Sequence, residues 1–279
     1  MLAGLALLSS LLWGSADYLG GNLAKRFASL AVTGASQFMG LLLGIGLLSI
    51  SSGWRSPDLS WRGYFVSGAI AGAAGFIGLV SYYAGLSTGK MGVVAPITSL
   101  SAIIPVFYGV LQGERPGSLQ IVGMVIAILG CFAASGPELQ NGVSARPVLL
   151  GVLTALMFGI ALVFMARGAR VDSLMTMTTM RLVTFAVVVV IAVRMRSIGG
   201  FKRVNIPILV VIGVSDFLAN YLLGVATTKG LISVAMVLGS IFPVVTTLLA
   251  FFFLGERLQR IQYVGVVTAI TGVALISLG

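Results

Sequence analysis

The chain has 279 residues, of which 58% are hydrophobic and only 9% charged, with a mean hydropathy of +1.10. A soluble domain carries roughly a quarter charged residues, so a dissolved globular fold is excluded and lipid is the expected solvent. The net charge of +10 comes from Lys and Arg scattered over short connections, with no basic cluster interleaved with aromatics, which excludes a nucleic-acid-binding surface and fits ordinary membrane anchoring.

Continuous apolar runs of about 20 residues have the length a helix needs to cross a bilayer. They lack the alternation and polar lumen of a barrel strand. Ten such spans are read in chain order. The first, 2–22, holds Trp13, Asp17, Tyr18 and Asn22. It has no basic leading region and is long enough to span, so it is expected to remain in the mature protein rather than act as a signal peptide. The second, 32–50, carries Gln37 and the small pair Gly40/Gly44, and Trp54 and Trp61 follow it as headgroup anchors. The third, 63–86, carries Gly68/Gly72 and the adjacent Tyr82 and Tyr83. The fourth, 91–112, contains Pro96 and Pro105 and ends on Gly113, Glu114 and Arg115. The fifth, 118–135, holds Cys131, the lone cysteine, so no disulfide forms within the chain. The sixth, 147–166, carries Met157-Phe158-Gly159, which faces Leu12-Trp13-Gly14 at an offset of 145. The seventh, 174–193, contains Arg181, and the eighth, 206–227, contains Asp216 and Asn220. The ninth, 232–253, carries Pro243 and ends on Gly255, Glu256 and Arg257, and the tenth is 260–278. Each mid-span proline removes a helical hydrogen bond, which predicts kinks that either line a cavity and move, or merely pack.

The second five spans repeat the first five. Residues 113–130 and 255–272, offset by 142, match at ten of eighteen positions, including Gly113/Gly255, Glu114/Glu256, Arg115/Arg257, Gln120/Gln262, Gly123/Gly265 and Gly130/Gly272. Weaker matches pair Gly72, Phe76 and Gly89 with Gly213, Phe217 and Gly230 at an offset of 141. An odd number of spans per copy inverts the second copy relative to the first. The expected fold is therefore all-α and integral to the membrane: ten transmembrane helices in two inverted-topology five-helix repeats, 1–140 and 141–279. That architecture is common among secondary transporters, with the substrate site near mid-membrane between the halves.

Charged side chains inside a span cost about 3 kcal/mol on insertion scales and normally face protein or water. Three stand well inside: Asp17, Arg181 and Asp216. Asn220 lies one helical turn from Asp216 on the same face. By the repeat offsets Asp216 corresponds to Gly75 and Asp17 to Leu162, so each acid occurs in one half only. A residue needed merely to fold the repeat would occur twice. The candidate substrate-binding set is therefore Asp216, Asn220, Arg181 and Asp17, with Tyr82, Tyr83 and Trp13 for apolar contact. With no histidine in the chain, Asp17 and Asp216 are the intramembrane groups suited to carrying a proton. The competing reading is an Asp216–Arg181 pair that only ties helices together. The two Gly-Glu-Arg corners read as structural, the carboxylate capping the following helix start. No residues suggest a metal site or a cofactor, and no phosphate-binding GxxxxGK[ST] loop is present for ATP.

These features resemble the drug/metabolite transporter superfamily and, within it, the ten-helix members built from two EamA-type halves. The similarity rests on Trp13-Gly14 early in the first span, on Gly113, Glu114 and Arg115, on Gly255, Glu256 and Arg257, on Pro243 thirteen residues before Glu256, and on Arg181. Ser101 and Gln37 stand where the other half has Pro243 and Arg181. The resemblance implies a secondary transporter, an exporter of small polar metabolites such as amino acids. It also implies cytoplasmic termini, against a weak bias of Lys/Arg in the other direction. Expected partners are a small-molecule substrate and the lipid bilayer, with the chain a monomer or homodimer in the plasma membrane, a bacterial inner membrane in particular. A passive facilitator is the alternative carrier. An enzyme is not expected, because seven acidic residues and no histidine leave little for catalysis.

Overall fold

The computed structural model describes residues 1–87, 94, 97–135, 145–195, 199–254 and 259–279, and every regular element among them is helical. The helices are α1 (Leu2–Ala24), α2 (Ser29–Ile50), α3 (Tyr64–Ser87), α4 (Ile103–Leu111, entered through a 3₁₀ turn at Leu100–Ala102) and α5 (Ser118–Ala134). The run Ala145–Met195 breaks at Asp172, whose backbone is extended (φ −158°, ψ 110°), into α6 (145–171) and α7 (173–195). Asp172 Oδ1 accepts from the Met175 amide at 2.9 Å, which caps α7. Then come α8 (Ile206–Thr227), α9 (Ile232–Gly239), α10 (Phe242–Leu254) and α11 (Arg260–Leu278).

Seven helices among the described residues are long and apolar enough to cross a membrane, the broken Ala145–Arg194 run and the joined Ile232–Phe253 run each counting once, and Ile97–Leu111 and Ser118–Ala134 are shorter apolar helices. Between α9 and α10 the helix is interrupted at Ser240 and Ile241, just ahead of Pro243. Proline supplies no amide to continue the ladder, so the ninth apolar run divides into two short helices. Pro105 stands inside α4, just beyond the 3₁₀ turn, and Pro96 lies outside the described residues.

Helix contacts follow the glycines, as they must where lipid offers no hydrophobic drive for association. Helices α5 and α11 run antiparallel. A Cβ on Gly123 would meet the Ile276 amide, one on Gly130 the Ala269 backbone, and one on Gly265 the Ala134 backbone. Helix α3 lies on α7, with Gly72 pressed against the Met180 backbone. Helix α2 lies on α8, with Gly213 pressed against the Ser36 carbonyl. Gly117 and Gln259, each just ahead of a helix, donate amides to Gln120 and Gln262 at 3.0 and 2.8 Å, so this repeated glutamine does one job twice. The largest buried cluster contains Met177, Phe217, Leu223, Met236 and Leu238, and joins α7, α8 and α9.

Candidate functional site

Side chains from four helices converge on Asp216. The close crossing of Gly40 on α2 with Gly213 on α8 brings Gln37 onto the carboxylate and leaves the Arg181 guanidinium of α7 lying over Gly40. Asp216 Oδ2 pairs with Arg181 Nη2 at 2.9 Å and accepts from Gln37 Nε2 at 2.7 Å. Its Oδ1 accepts from the Trp13 indole Nε1 at 3.0 Å and from Asn220 Nδ2 at 3.2 Å. Asn220 also donates to the Asp216 carbonyl one turn back, at 2.7 Å. Arg181 Nη1 donates to Gln37 Oε1 at 2.7 Å, and Nη2 reaches the Asp216 carbonyl at 3.3 Å. Arg181 is 5% exposed and its Nε has no partner among the described residues. The Asp216 carboxylate is thus saturated, and two of the three nitrogens of the guanidinium are committed.

This cluster forms part of the wall of a cavity enclosing about 710 Å³ of empty space, counted out to its mouth. Helices α1, α2, α3, α6, α7 and α8 contribute, together with Ser101 of the 3₁₀ turn, Ser240 of the α9–α10 break and Phe242. Trp13 and Phe242 meet edge to face with centroids 6.0 Å apart. On α3, Gly72 and Gly75 make the space. A Cβ at Gly75 would come no closer than 3.8 Å to any neighbour, so any larger side chain there would grow into the cavity.

Of the residues singled out from the sequence, Trp13, Asp17, Arg181, Asp216 and Asn220 all line this cavity. Asp17, one turn beyond Trp13, accepts no hydrogen bond and forms no ion pair among the described residues. Tyr82 and Tyr83 do not line it. They are 3% and 1% exposed and lie in a second buried cluster, Tyr82 packed on Phe158 and the Tyr83 hydroxyl pressed against Gly20. Phe158 itself forms part of the wall. Adjacent residues on a helix point about 100° apart, but both of these faces are covered by protein.

The first Gly-Glu-Arg corner is structural in an unexpected way. Gly113 has φ +89°, a conformation that suits glycine, and closes the end of α4. Glu114 does not cap the following helix. It accepts from the amides of Ile232 and, at 2.9 Å, Ser233, the first turn of α9. Gly109 has to be small because Glu114 Oε2 lies where its Cβ would stand. Arg115 is exposed and has no partner among the described residues. Gly255, Glu256 and Arg257 lie outside the described residues.

Sequence reasoning missed Gln37 as a site residue. It is the only amide in its span, which was the available signal, but it was read as a replacement for arginine rather than as that arginine's partner. Ser240 and Thr184 were also missed. Both are small hydroxyls in apolar runs, where a local backbone partner is the usual reading. Thr184 does donate to the Met180 carbonyl at 3.0 Å, whereas Ser240 Oγ is buried without a partner among the described residues.

The profile of the EamA-like transporter family matches residues 2–136 and, separately, 145–278. The uncharacterized protein MJ1333.1 of Methanocaldococcus jannaschii is 26% identical over 131 residues, covering 47% of this chain and 96% of that protein. A solved structure, titled only as the crystal structure of a protein, superposes with a TM-score of 0.80 at 18% identity, covering 99% of this chain and 96% of the other, and establishes likeness of fold alone.

Proposed function

The chain belongs to the EamA-like transporter family, and on that premise we propose that it is a secondary transporter exporting a small polar metabolite by alternating access. The family consists of transporters, and the chain is a multi-pass membrane protein. Ten crossings follow if α6 and α7 count separately, α9 and α10 count together, and the short α4 and α5 each cross. We read 1–140 and 141–279 as two inverted halves. The antiparallel pairing of α5 with α11, repeat equivalents of each other, supports this. So does the pairing of α2 with α8 and of α3 with α7, which are interchanged by the same pseudo-twofold operation. The bacterial inner membrane is the proposed location.

One observation carries the site assignment. Gln37 and Arg181 occupy equivalent places in the two halves and are bonded to each other at 2.7 Å. A contact between equivalent positions lies on the axis relating the halves, so the cavity beside it is where rocking of one half against the other would expose a substrate to alternate sides. Trp13, Asp17, Arg181, Asp216 and Asn220 form the polar part of this site. Proton coupling falls to Asp17, because Asp216 is already saturated by four donors.

A passive facilitator is the second reading, and the saturated Asp216–Arg181 pair favours it, since that pair has the form of a structural tie. Flux of candidate metabolites into proteoliposomes, with and without a pH gradient, separates the two. For the coupled carrier, uphill accumulation follows the gradient and disappears in Asp17→Asn, while downhill exchange persists at raised substrate concentration. Gradient-independent flux in both the native protein and Asp17→Asn would end the coupling proposal and leave the facilitator.

A further inference from the structure

The charged groups that the described residues bring to the cavity wall do not balance. Among its described residues the charged groups are Asp17, Arg181 and Asp216, one cation against two carboxylates. Arg181 is unavailable to a ligand: Nη1 is bonded to Gln37, Nη2 to Asp216, and Nε is directed toward Gly40 at 95% burial of the residue. Asp216 is neutralised by that same contact. What remains facing the empty space is Asp17, a carboxylate with no hydrogen-bond or ion-pair partner among the described residues. The same wall carries aromatic rings, Trp13 on the preceding turn of α1, Phe242, Phe76 and Phe158. The Trp13 ring is fixed by its bond to Asp216 and by its edge contact with Phe242. Ring faces attract cations, and so does an unpaired carboxylate out of bulk water. Ser240, 4% exposed, also belongs to this wall, and its Oγ, without a partner among the described residues, can accept from an N–H donor.

From this balance we infer that the cavity takes an organic cation, an ammonium or guanidinium group on an apolar body, and turns away free carboxylates. The ammonium meets Asp17, the body lies among Trp13, Phe76, Phe158 and Phe242, and no unengaged cation stands among the described residues of the wall to receive an anionic group. A net positive ligand makes the cavity neutral, which is the condition for carrying a charge through a low-dielectric layer at small cost. This inference rests on the carrier reading for its biological meaning, but binding can be measured without transport.

The test uses purified full-length protein in detergent and four probes sharing one ring: phenyltrimethylammonium, phenylacetate, phenylalanine and 2-phenylethanol, by isothermal titration. The cation is expected to bind, with phenylacetate and phenylalanine weaker by roughly ten- to a hundredfold, the range lost when a charged hydrogen-bonding or ion partner is missing. Asp17→Asn should weaken the cation by a similar factor while leaving 2-phenylethanol unchanged, and Asp17→Glu should restore it. Should Asp17→Asn fail to fold, Gly75→Leu, which fills the cavity without touching its charges, should abolish binding of all four. Equal or tighter binding of phenylacetate or phenylalanine, cation binding indifferent to Asp17, or no cation binding at millimolar concentration overturns the inference. If the cation binds but proteoliposomes move none of the probes, the inference stands and the carrier reading falls. If phenylacetate is carried, the reverse holds.

Discussion

At the scale of single residues, Asp216 shows how a lone intramembrane charge is made tolerable. Its carboxylate receives donors from Trp13, Gln37, Arg181 and Asn220, on α1, α2, α7 and α8. Removing one member of such a pair strands the other, at about 3–5 kcal/mol, whereas replacing both by apolar residues costs far less. Asp216→Ala and Arg181→Met should therefore each lower the thermal midpoint in detergent strongly, and the double variant should be more stable than either single one. A double variant that loses the sum of the two single losses would show that the pair is not what stabilises this crossing. Rarity made these residues legible: an acid, an arginine and an asparagine inside apolar spans are expensive enough to demand a role. The burial of Tyr82 and Tyr83 was not legible, because a tyrosine is compatible both with a cavity wall and with a packed interior. Gln37 carried too little charge to stand out.

At the scale of elements, the sequence marked the helices well, and 206–227 and 260–278 coincide with α8 and α11. Apolar length and polar punctuation define such segments locally. What happens within a span depends on less visible signals. Pro243 announced an interruption in the ninth run, but the role of the interruption, bringing Ser240 to the cavity wall, required the neighbouring helices. The absence of a connecting loop at Asp172 was equally hidden, since one extended residue suffices to turn α6 into α7. Glu114 is the plainest case. Its motif said that a carboxylate sits at a helix corner, and the partner proved to be the start of α9, 118 positions along the chain. Two amides on one carboxylate hold the half-helix that leads to Ser240. Glu114→Ala should cost about 1–3 kcal/mol in stability, the range for hydrogen bonds to a charged group, and should slow transport as α9 loses its anchor. Glu114→Gln should recover part of both. Calorimetry and initial rates in proteoliposomes read the two effects, and unchanged values in Glu114→Ala would reduce the contact to an incidental one.

At the scale of the whole molecule, the repeat was legible from shared glycines, yet the way the halves engage was not. Offset matches say that two segments are alike and nothing about which helix faces which. In the structure α2 lies on α8 and α7 on α3, so each half reaches into the other, and Glu114 adds a tie of the same kind. The glycines serve these crossings, with Gly213 admitting the Ser36 carbonyl and Gly72 the Met180 backbone. The site itself departs from symmetry: Asp216 stands in one half and Gly75, which opens the space, in the other.

Interlocked halves predict that the peptide link between them is dispensable. Cleaving the chain between 136 and 144 would leave every glycine crossing and the Glu114 tie intact. Residues 1–140 and 141–279, produced as two separately synthesised polypeptides in one cell, should co-purify and regain flux, while either fragment alone should be degraded. Fragments that never associate would mean that the covalent joint, rather than the mutual embrace of the two bundles, supplies the cohesion.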